Sequence, residues 1–488
     1  MMSDFYKLFV QRVGLVGVTQ LLVGISGLIL LPILTKNLSI NDYGIWVQII
    51  ITIEIISNVA NAGLSLTMVR FLPSIKEKKN IQDIFYSLTS VILFTNICIA
   101  IVLYLFADSI ATILFNENVW AVKILSLIVI IKGLHLMSLN YFRASQKIKR
   151  HSFFVFFETA SKMLFVSFFI LMNFQIKGAI TGLLISYSFT LFVEFFYIFS
   201  DIGLKKPQYR NLKKYLAFGL PIVPSKISDW TISMSDRYII SYFFGTAFVG
   251  YYVPGYTLGN IINMFFQPLN FVLPMFLSKY YDENNIKRVE EILSISLKYF
   301  LAVSIPSVFG LSLLSKPLLI VLTTSEIASK SYLITPFVAL STLLWGIYSI
   351  FYQILLLEQK TKIIGKIWTI SAILNILLNI LLIPIIGIVA AAMTTLISYA
   401  LSLVITSYYI SNSIKIHVDI LFIVKTVLAS VIMSLLILKL DPFSLSALMC
   451  TIFLCAFVYF STLLLLRGFT IQEIRVFINS YRFYGMGK

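Results

Sequence analysis

Apolar stretches of about 20 residues, the length that crosses a bilayer as a helix, recur along this chain with short polar turns between them. They fall near 13–34, 43–65, 84–107, 119–140, 153–173 and 178–199, and again near 215–244, 250–277, 291–315, 333–357, 364–384 and 388–410. Two more lie near 420–439 and 443–466. The pattern predicts an all-α polytopic membrane protein of about 14 transmembrane helices. Composition agrees, since 59% hydrophobic and 12% charged residues over 488 positions lie outside the range of soluble domains. The first stretch is too long for a signal-peptide core and lacks a clear small-residue cleavage site, so it reads as the first span.

Charge then sets the orientation. Arg70, Lys76, Lys78 and Lys79 share one loop, and Arg143, Lys147, Lys149 and Arg150 share another. Lys205, Lys206, Arg210, Lys213 and Lys214 follow, then Lys279, Lys287 and Arg288, then Lys360 and Lys362. The loops between them carry little beyond Lys36, Lys177, Lys330 and Lys439. By the positive-inside rule both termini are expected in the cytoplasm, in a multi-pass protein of the inner cell membrane. Topology therefore accounts for the net charge of +17 without a nucleic-acid partner. Cys98, Cys450 and Cys455 lie in apolar segments and the three histidines are scattered. No disulfide framework, metal site or cofactor is expected.

The chain reads as two similar halves and a tail. GAITGLLISY at 178–187 matches AAAMTTLISY at 390–399, and Gln146-Lys147 matches Gln359-Lys360. Asp42-Tyr43-Gly44-Ile45-Trp46 aligns with Phe248-Val249-Gly250-Tyr251-Tyr252. Six spans per half keep the halves parallel, related by an axis along the membrane normal. The expected units are a lobe at 1–204, a basic linker at 205–214, a second lobe at 215–414, and two added helices with a cytoplasmic tail at 415–488.

Polar residues mark the faces that meet. Lys226, Asp229, Ser233, Asp236 and Arg237 fall within roughly 120° of one helical face at about 100° per residue. A charge in hydrocarbon costs about 3 kcal/mol or more unless it finds a partner or water. The seventh span should therefore line something wet, which points to a transport pathway. Glu54, Asn58, Asn61 and Ser65 share a face of the second span, as do Asn260, Asn263, Gln267 and Asn270 of the eighth. Pro221, Pro224, Pro254, Pro268 and Pro274 permit bending there. Glu158 and Lys162, spaced i, i+4, are expected to neutralise each other. Lys132 and His135 sit deep in the fourth span with no assigned role.

At this point the residues resemble a known family. GLPIVPSKISDWTISMSDRYIISYFFGTAFVGYYVPGY at 219–256, LSINDYGIW at 38–46, LSLTMVRFLPS at 64–74 and the stretch 358–399 are similar to the polysaccharide transporter (Wzx-type flippase) family. That family belongs to the multidrug/oligosaccharidyl-lipid/polysaccharide (MOP) superfamily. The resemblance implies two six-helix bundles in a V, with the first, second, seventh and eighth helices lining a central cavity. It also implies movement of polyprenyl-pyrophosphate-linked oligosaccharide, such as an O-antigen, capsule or exopolysaccharide repeat unit, from the inner to the outer leaflet.

On this reading the chain is a transporter and not an enzyme. Lys226 and Arg237 would engage the diphosphate, and Asn58, Asn61, Asn260, Asn263 and Gln267 the sugar hydroxyls. Asp229 and Asp236 would offset the cations, and Glu54 would serve ion coupling. Membrane lipids surround it, and a glycan polymerase or glycosyltransferases are conceivable partners. No Walker-type ATP motif is present in the sequence, so energy must come from gradients, mass action or the membrane potential. Two other readings stay open: a cation-coupled multidrug or metabolite exporter of the same superfamily, and a membrane scaffold within a glycan assembly complex.

Overall fold

The computed structural model describes residues 2–75, 77–411, 413–442 and 444–469. Lys76 and the tail from residue 470 onward lie outside the described residues. The first half contains α1 (Met2–Asn37), α2 (Ile40–Ala60), α3 (Leu64–Phe71), α4 (Lys78–Leu105) and α5 (Ala107–Leu114). It continues through α6 (Val119–Ala144), α7 (Ile148–Leu171) and α8 (Gln175–Ile202). The second half opens with α9 (Leu212–Gly219), α10 (Val223–Met234), α11 (Asp236–Phe244), α12 (Thr246–Gly259) and α13 (Asn263–Asp282). Then come α14 (Ile286–Leu322), α15 (Ser325–Ser331), α16 (Ile334–Leu357), α17 (Thr361–Ile386) and α18 (Ile388–Ile410). The tail pair is α19 (Ile420–Leu440) and α20 (Leu445–Leu465).

Among the described residues, 12 helices are long and apolar enough to cross a membrane. The two remaining expected spans are interrupted. The stretch 215–244, expected as one helix, is broken by a 3₁₀ turn at Leu220–Ile222 and again at Ser235. The stretch 250–277 is broken by a 3₁₀ turn at Asn260–Ile262. Proline explains the first interruption: Pro221 lacks the amide hydrogen that a continuous ladder requires. The first broken segment still runs the length of α2. Gly219 lies against Ala62 and Gly63 at one end of α2, and Thr246 lies against Gly44 at the other.

The two halves repeat each other in detail. Gln146 and Gln359 both adopt a left-handed φ of 57°. In each turn that residue's amide bonds three residues back, and the following lysine's amide bonds five residues back. The packing repeats as well: α6 lies on α8 and α4 in the first half, as α16 lies on α18 and α14 in the second. α7 pairs with α8 as α17 pairs with α18. α19 packs on α14, with α20 beside it, outside this repeat.

Between the halves, α2 runs along α12, α1 meets α13 and α2 meets α10. Lipid tails offer no hydrophobic drive for helix association, so close approach rests on small residues and fitted contacts. A Cβ at Gly44 would overlap the Thr246 carbonyl, and one at Gly250 would lie 2.6 Å from the Ile40 carbonyl. Positions 40 and 44 correspond to 246 and 250 in the repeat. The contact is therefore reciprocal, as a two-fold relation demands. At the other end of α2, a Cβ at Gly63 would overlap the Gly219 carbonyl.

The side chains of Asn41 and Thr246, 3.4 Å apart beside this crossing, give a direct readout. Asn41→Cys with Thr246→Cys should form a disulfide in membranes. Adding Gly44→Leu should cut its yield roughly tenfold, the factor that about 1.4 kcal/mol produces. An unchanged yield would mean the crossing does not hold the halves together.

Candidate functional site

The broken seventh segment and α2 build the site between them. Trp230 donates from Nε1 to the Ile51 carbonyl at 3.3 Å, and Gln48 donates to the Arg237 carbonyl at 3.2 Å. Thr52 and Tyr238 join through their hydroxyls. These bonds hold α10 and α11 against the middle of α2. Glu54 is exposed on α2. It lies in electrostatic range of Lys132, Asp229, Arg237 and Lys226.

The two cations expected to act together occupy different surroundings. Lys226 is exposed on α10, and Asp229, one turn further on, is half-buried. Arg237 is 3% exposed. Its Nη1 donates to Asp236 Oδ1 at 2.6 Å and to the Ser233 carbonyl at the helix break. The guanidinium lies over the rings of Tyr256 and Tyr252, 4.0 and 5.3 Å from their centroids. Tyr252 donates its hydroxyl to Asp236 Oδ2 at 2.6 Å. Asp236 and Arg237 thus form a closed pair walled by aromatic rings, and Arg237 does not face an open cleft in this conformation.

The amide stripe divides in the same way. Asn61 is buried, donating to the Ser57 carbonyl at 2.7 Å and accepting from Ser65 at 3.1 Å. It caps the end of α2. Asn58 is half-buried and donates to the Glu54 carbonyl at 2.9 Å. Asn260, at the break between α12 and α13, is half-buried, as are Asn263 and Gln267.

Two arrangements were not foreseen from sequence. Tyr252 and Tyr256 enclose Arg237, one helical turn apart on the following segment. In the first half, Glu158 bonds Lys132 at 2.7 Å and His135 at 3.0 Å, with Lys162 a more distant charged neighbour. Glu194 completes that group through His135 at 3.0 Å. The i, i+4 spacing of Glu158 and Lys162 does place them within electrostatic reach, but α6 brings two closer donors across. The signal was present: Lys132 and His135 lie three residues apart on one face.

An apolar cavity of about 330 Å³ lies on the second half, between α13, α14, α19 and α20. Phe265, Val303, Leu311, Met433 and Ile437 are among its lining.

Comparison with known proteins fits this architecture. The pattern of the family described as "Polysaccharide biosynthesis protein" matches residues 33–332. A probable low-salt glycan biosynthesis flippase of Haloferax volcanii is 27% identical over 214 residues, which is 44% of this chain and 45% of that protein. The chain thus matches less than half the length of that relative. Among solved structures, the lipid II flippase MurJ in an inward closed conformation superposes with a TM-score of 0.77 at 18% identity, covering 93% of this chain and 98% of that one. An inward-facing multidrug resistance MATE family transporter of the MOP superfamily superposes at 0.69 with 12% identity, covering 80% and 97%. At such identities these structures establish a shared fold: the chain has the architecture of MOP-type transporters.

Removing one partner of the buried pair leaves the other charge stranded, at a cost of about 3–5 kcal/mol. Asp236→Ala should therefore lower the thermal midpoint of the purified protein clearly. Asp236→Leu combined with Arg237→Met should lose less than Asp236→Ala alone. Equal losses would show that the pair is not desolvated.

Proposed function

The chain belongs to the polysaccharide biosynthesis protein family, and on that premise we propose that it is a flippase for a polyprenyl-diphosphate-linked glycan, working by alternating access. The observation that carries the reading is the reciprocal meeting of two like halves around a small set of charged and amide groups. Such a bundle can close at one membrane face while it parts at the other. The name of the Haloferax volcanii relative supports the same class of cargo.

On this reading the substrate moves from the inner to the outer leaflet of the cytoplasmic membrane, with both termini of the chain inside. Lys226, exposed beside Asp229, is the first contact for the diphosphate. Arg237 joins only when the diphosphate displaces Asp236 from the guanidinium, where the fork of donors suits two phosphate oxygens. Asn58, Asn260, Asn263 and Gln267 face the sugar, and Asn61 holds the end of α2 beneath them. The lipid chain stays outside, with the apolar cavity beside α19 and α20 as a foothold. Two negative charges moved toward the positive side gain about 4.6 kcal/mol at 100 mV, at about 2.3 kcal/mol per charge. The membrane potential is thus a sufficient drive.

Purified protein in liposomes should accelerate the appearance of a labelled polyprenyl-diphosphate oligosaccharide in the opposite leaflet. Lys226→Ala should slow it by roughly ten- to a hundredfold, for a lost charged hydrogen bond of about 1.5–3 kcal/mol. A rate equal to that of protein-free liposomes rules out the flippase reading. Transport of cationic drugs by the same vesicles would favour an exporter instead.

A further inference from the structure

The first half holds a second charged cluster that the pathway between the halves does not use. His135 on α6 presents both ring nitrogens to carboxyl groups: Nδ1 lies 3.0 Å from Glu194 Oε2 on α8, and Nε2 lies 3.0 Å from Glu158 Oε2 on α7. Lys132, one turn earlier on α6, donates to Glu158 Oε1 at 2.7 Å and lies 4.5 Å over the ring of Tyr187. His135 and Glu194 have no exposed side-chain surface, while Lys132 and Glu158 keep 16% and 15%.

Hydrogen counting constrains this geometry. A neutral imidazole donates from one nitrogen and accepts at the other, whereas an ionised carboxylate can only accept. Two contacts between ring nitrogens and carboxyl oxygens therefore need two hydrogens. Either both sit on the ring, or one sits on the ring and one on a carboxyl group. In both cases the trio holds one hydrogen ion more than a neutral histidine with two carboxylates. That ion and the Lys132 ammonium then balance Glu158 and Glu194. Without it the cluster would carry a net negative charge among packed helices, which is costly.

A second observation marks where the ion sits. Glu194 Oε1 is buried and accepts no hydrogen bond among the described residues. An unpartnered oxygen is far cheaper on a neutral carboxyl than on a carboxylate. The cluster is also connected to the central space. Its part-exposed end is Lys132 with Glu158, and Lys132 is a charged neighbour of Glu54, exposed on α2 and itself near Asp229 and Lys226 of the second half.

The two nearest further charges offset each other, Lys162 beside Glu158 and Glu54 beside Lys132, so the count is unchanged. α7 adds Lys162 near Glu158 and His151 toward the end of the helix. α8 adds Tyr187. α4 contributes Asn96 against Gly133 and has no ionisable group other than Tyr86, Cys98 and Tyr104 from residue 84 to residue 105. α3 and α5 bring only Arg70 and Asp108, both exposed.

We propose that Lys132, Glu158, His135 and Glu194 form a hydrogen-ion binding site. It takes one ion per chain, shared between His135 and Glu194, and exchanges it with the central space through Glu158 and Lys132. When the halves rearrange around α2, Glu54 changes its distance to Lys132, and the cost of holding the ion changes with it. Ion binding and conformation are thereby linked, whatever molecule the chain carries.

The test needs no substrate. The full chain, labelled with ¹⁵N-histidine and carrying His151→Gln and His417→Gln so that His135 alone reports, is placed in lipid nanodiscs at neutral pH. Two strongly deshielded hydrogen resonances are expected, one for each contact of the imidazole and counted whether its hydrogen is bonded to the ring nitrogen or to the carboxyl oxygen; a single one overturns the site. In a second measurement, spin labels placed across the two halves at the basic-loop face follow their separation from pH 8.5 to 5.5. The distribution should shift with pH in the parent protein and stop shifting in Glu194→Gln, whose amide keeps the shape but cannot exchange the ion. A parent protein insensitive to pH, or a Glu194→Gln variant that responds fully, overturns the linkage. Neither measurement depends on flipping, so failure of the glycan reading leaves both outcomes interpretable.

Discussion

Buried charge in a hydrocarbon-embedded bundle must find a partner, and that requirement organises the interior of this protein. Asp236 and Arg237 satisfy it in the second half, aided by the Tyr252 hydroxyl and the faces of two tyrosine rings. Lys132, Glu158, His135 and Glu194 satisfy it in the first. Each group ties together helices that lipid would otherwise leave indifferent to one another. Glu54, between them on α2, is the acidic group that feels both.

The same requirement explains the irregular backbone. An arginine on an unbroken helix facing its neighbours would have few acceptors, since the carbonyls are committed to the helical ladder. Interruption at Ser235 places the Ser233 carbonyl within reach of both Arg237 and the Tyr256 hydroxyl. Irregular backbone at membrane depth is tolerated where protein covers it, and here α2, α12 and α17 do so. The interrupted segments belong to the half-and-half interface, while the peripheral helices α4, α7, α8 and α17 are continuous.

Much of this was legible in the sequence, for reasons that can be named. Apolar length gave the all-helical class, and the matched Gln146-Lys147 and Gln359-Lys360 pairs marked turns that share one left-handed geometry. The alignment of Gly44 with Gly250 marked the crossing, because only a missing side chain allows backbone to approach backbone there. Hydropathy could not reveal that two spans are broken, since a 3₁₀ turn removes no apolar residue from the count. Nor could helical spacing reveal partners on other helices. Arg237 shares a face with Lys226, yet its side chain turns into the aromatic pocket, and the direct bonds of Glu158 go to α6. Periodicity assigns a residue to a face; which groups that face meets is a tertiary fact.

The placement of the two charged groups relative to the glycine crossing bears on how the halves can move. Gly44 and Gly250 lie at one end of α2 and Gly63 with Gly219 at the other, so the halves approach closely at both ends while Glu54 and Lys226 lie between. Backbone contacts of this kind are made or lost as a unit, because a carbonyl seated against a glycine has little room for gradual adjustment. Parting one end costs those contacts and the neighbouring hydrogen bonds of Gln48, Thr52 or Thr67 to the second half, but neither ion-paired group must be torn apart for α2 to tilt against α12. The pair at Asp236 moves with the second half, and the cluster at His135 moves with the first. Glu54, on α2 between them, is a charged neighbour of Lys132 in the first half and of Arg237 in the second. On the proposed alternating-access reading, a bundle built this way can exchange one closure for the other without exposing an unpaired charge to lipid.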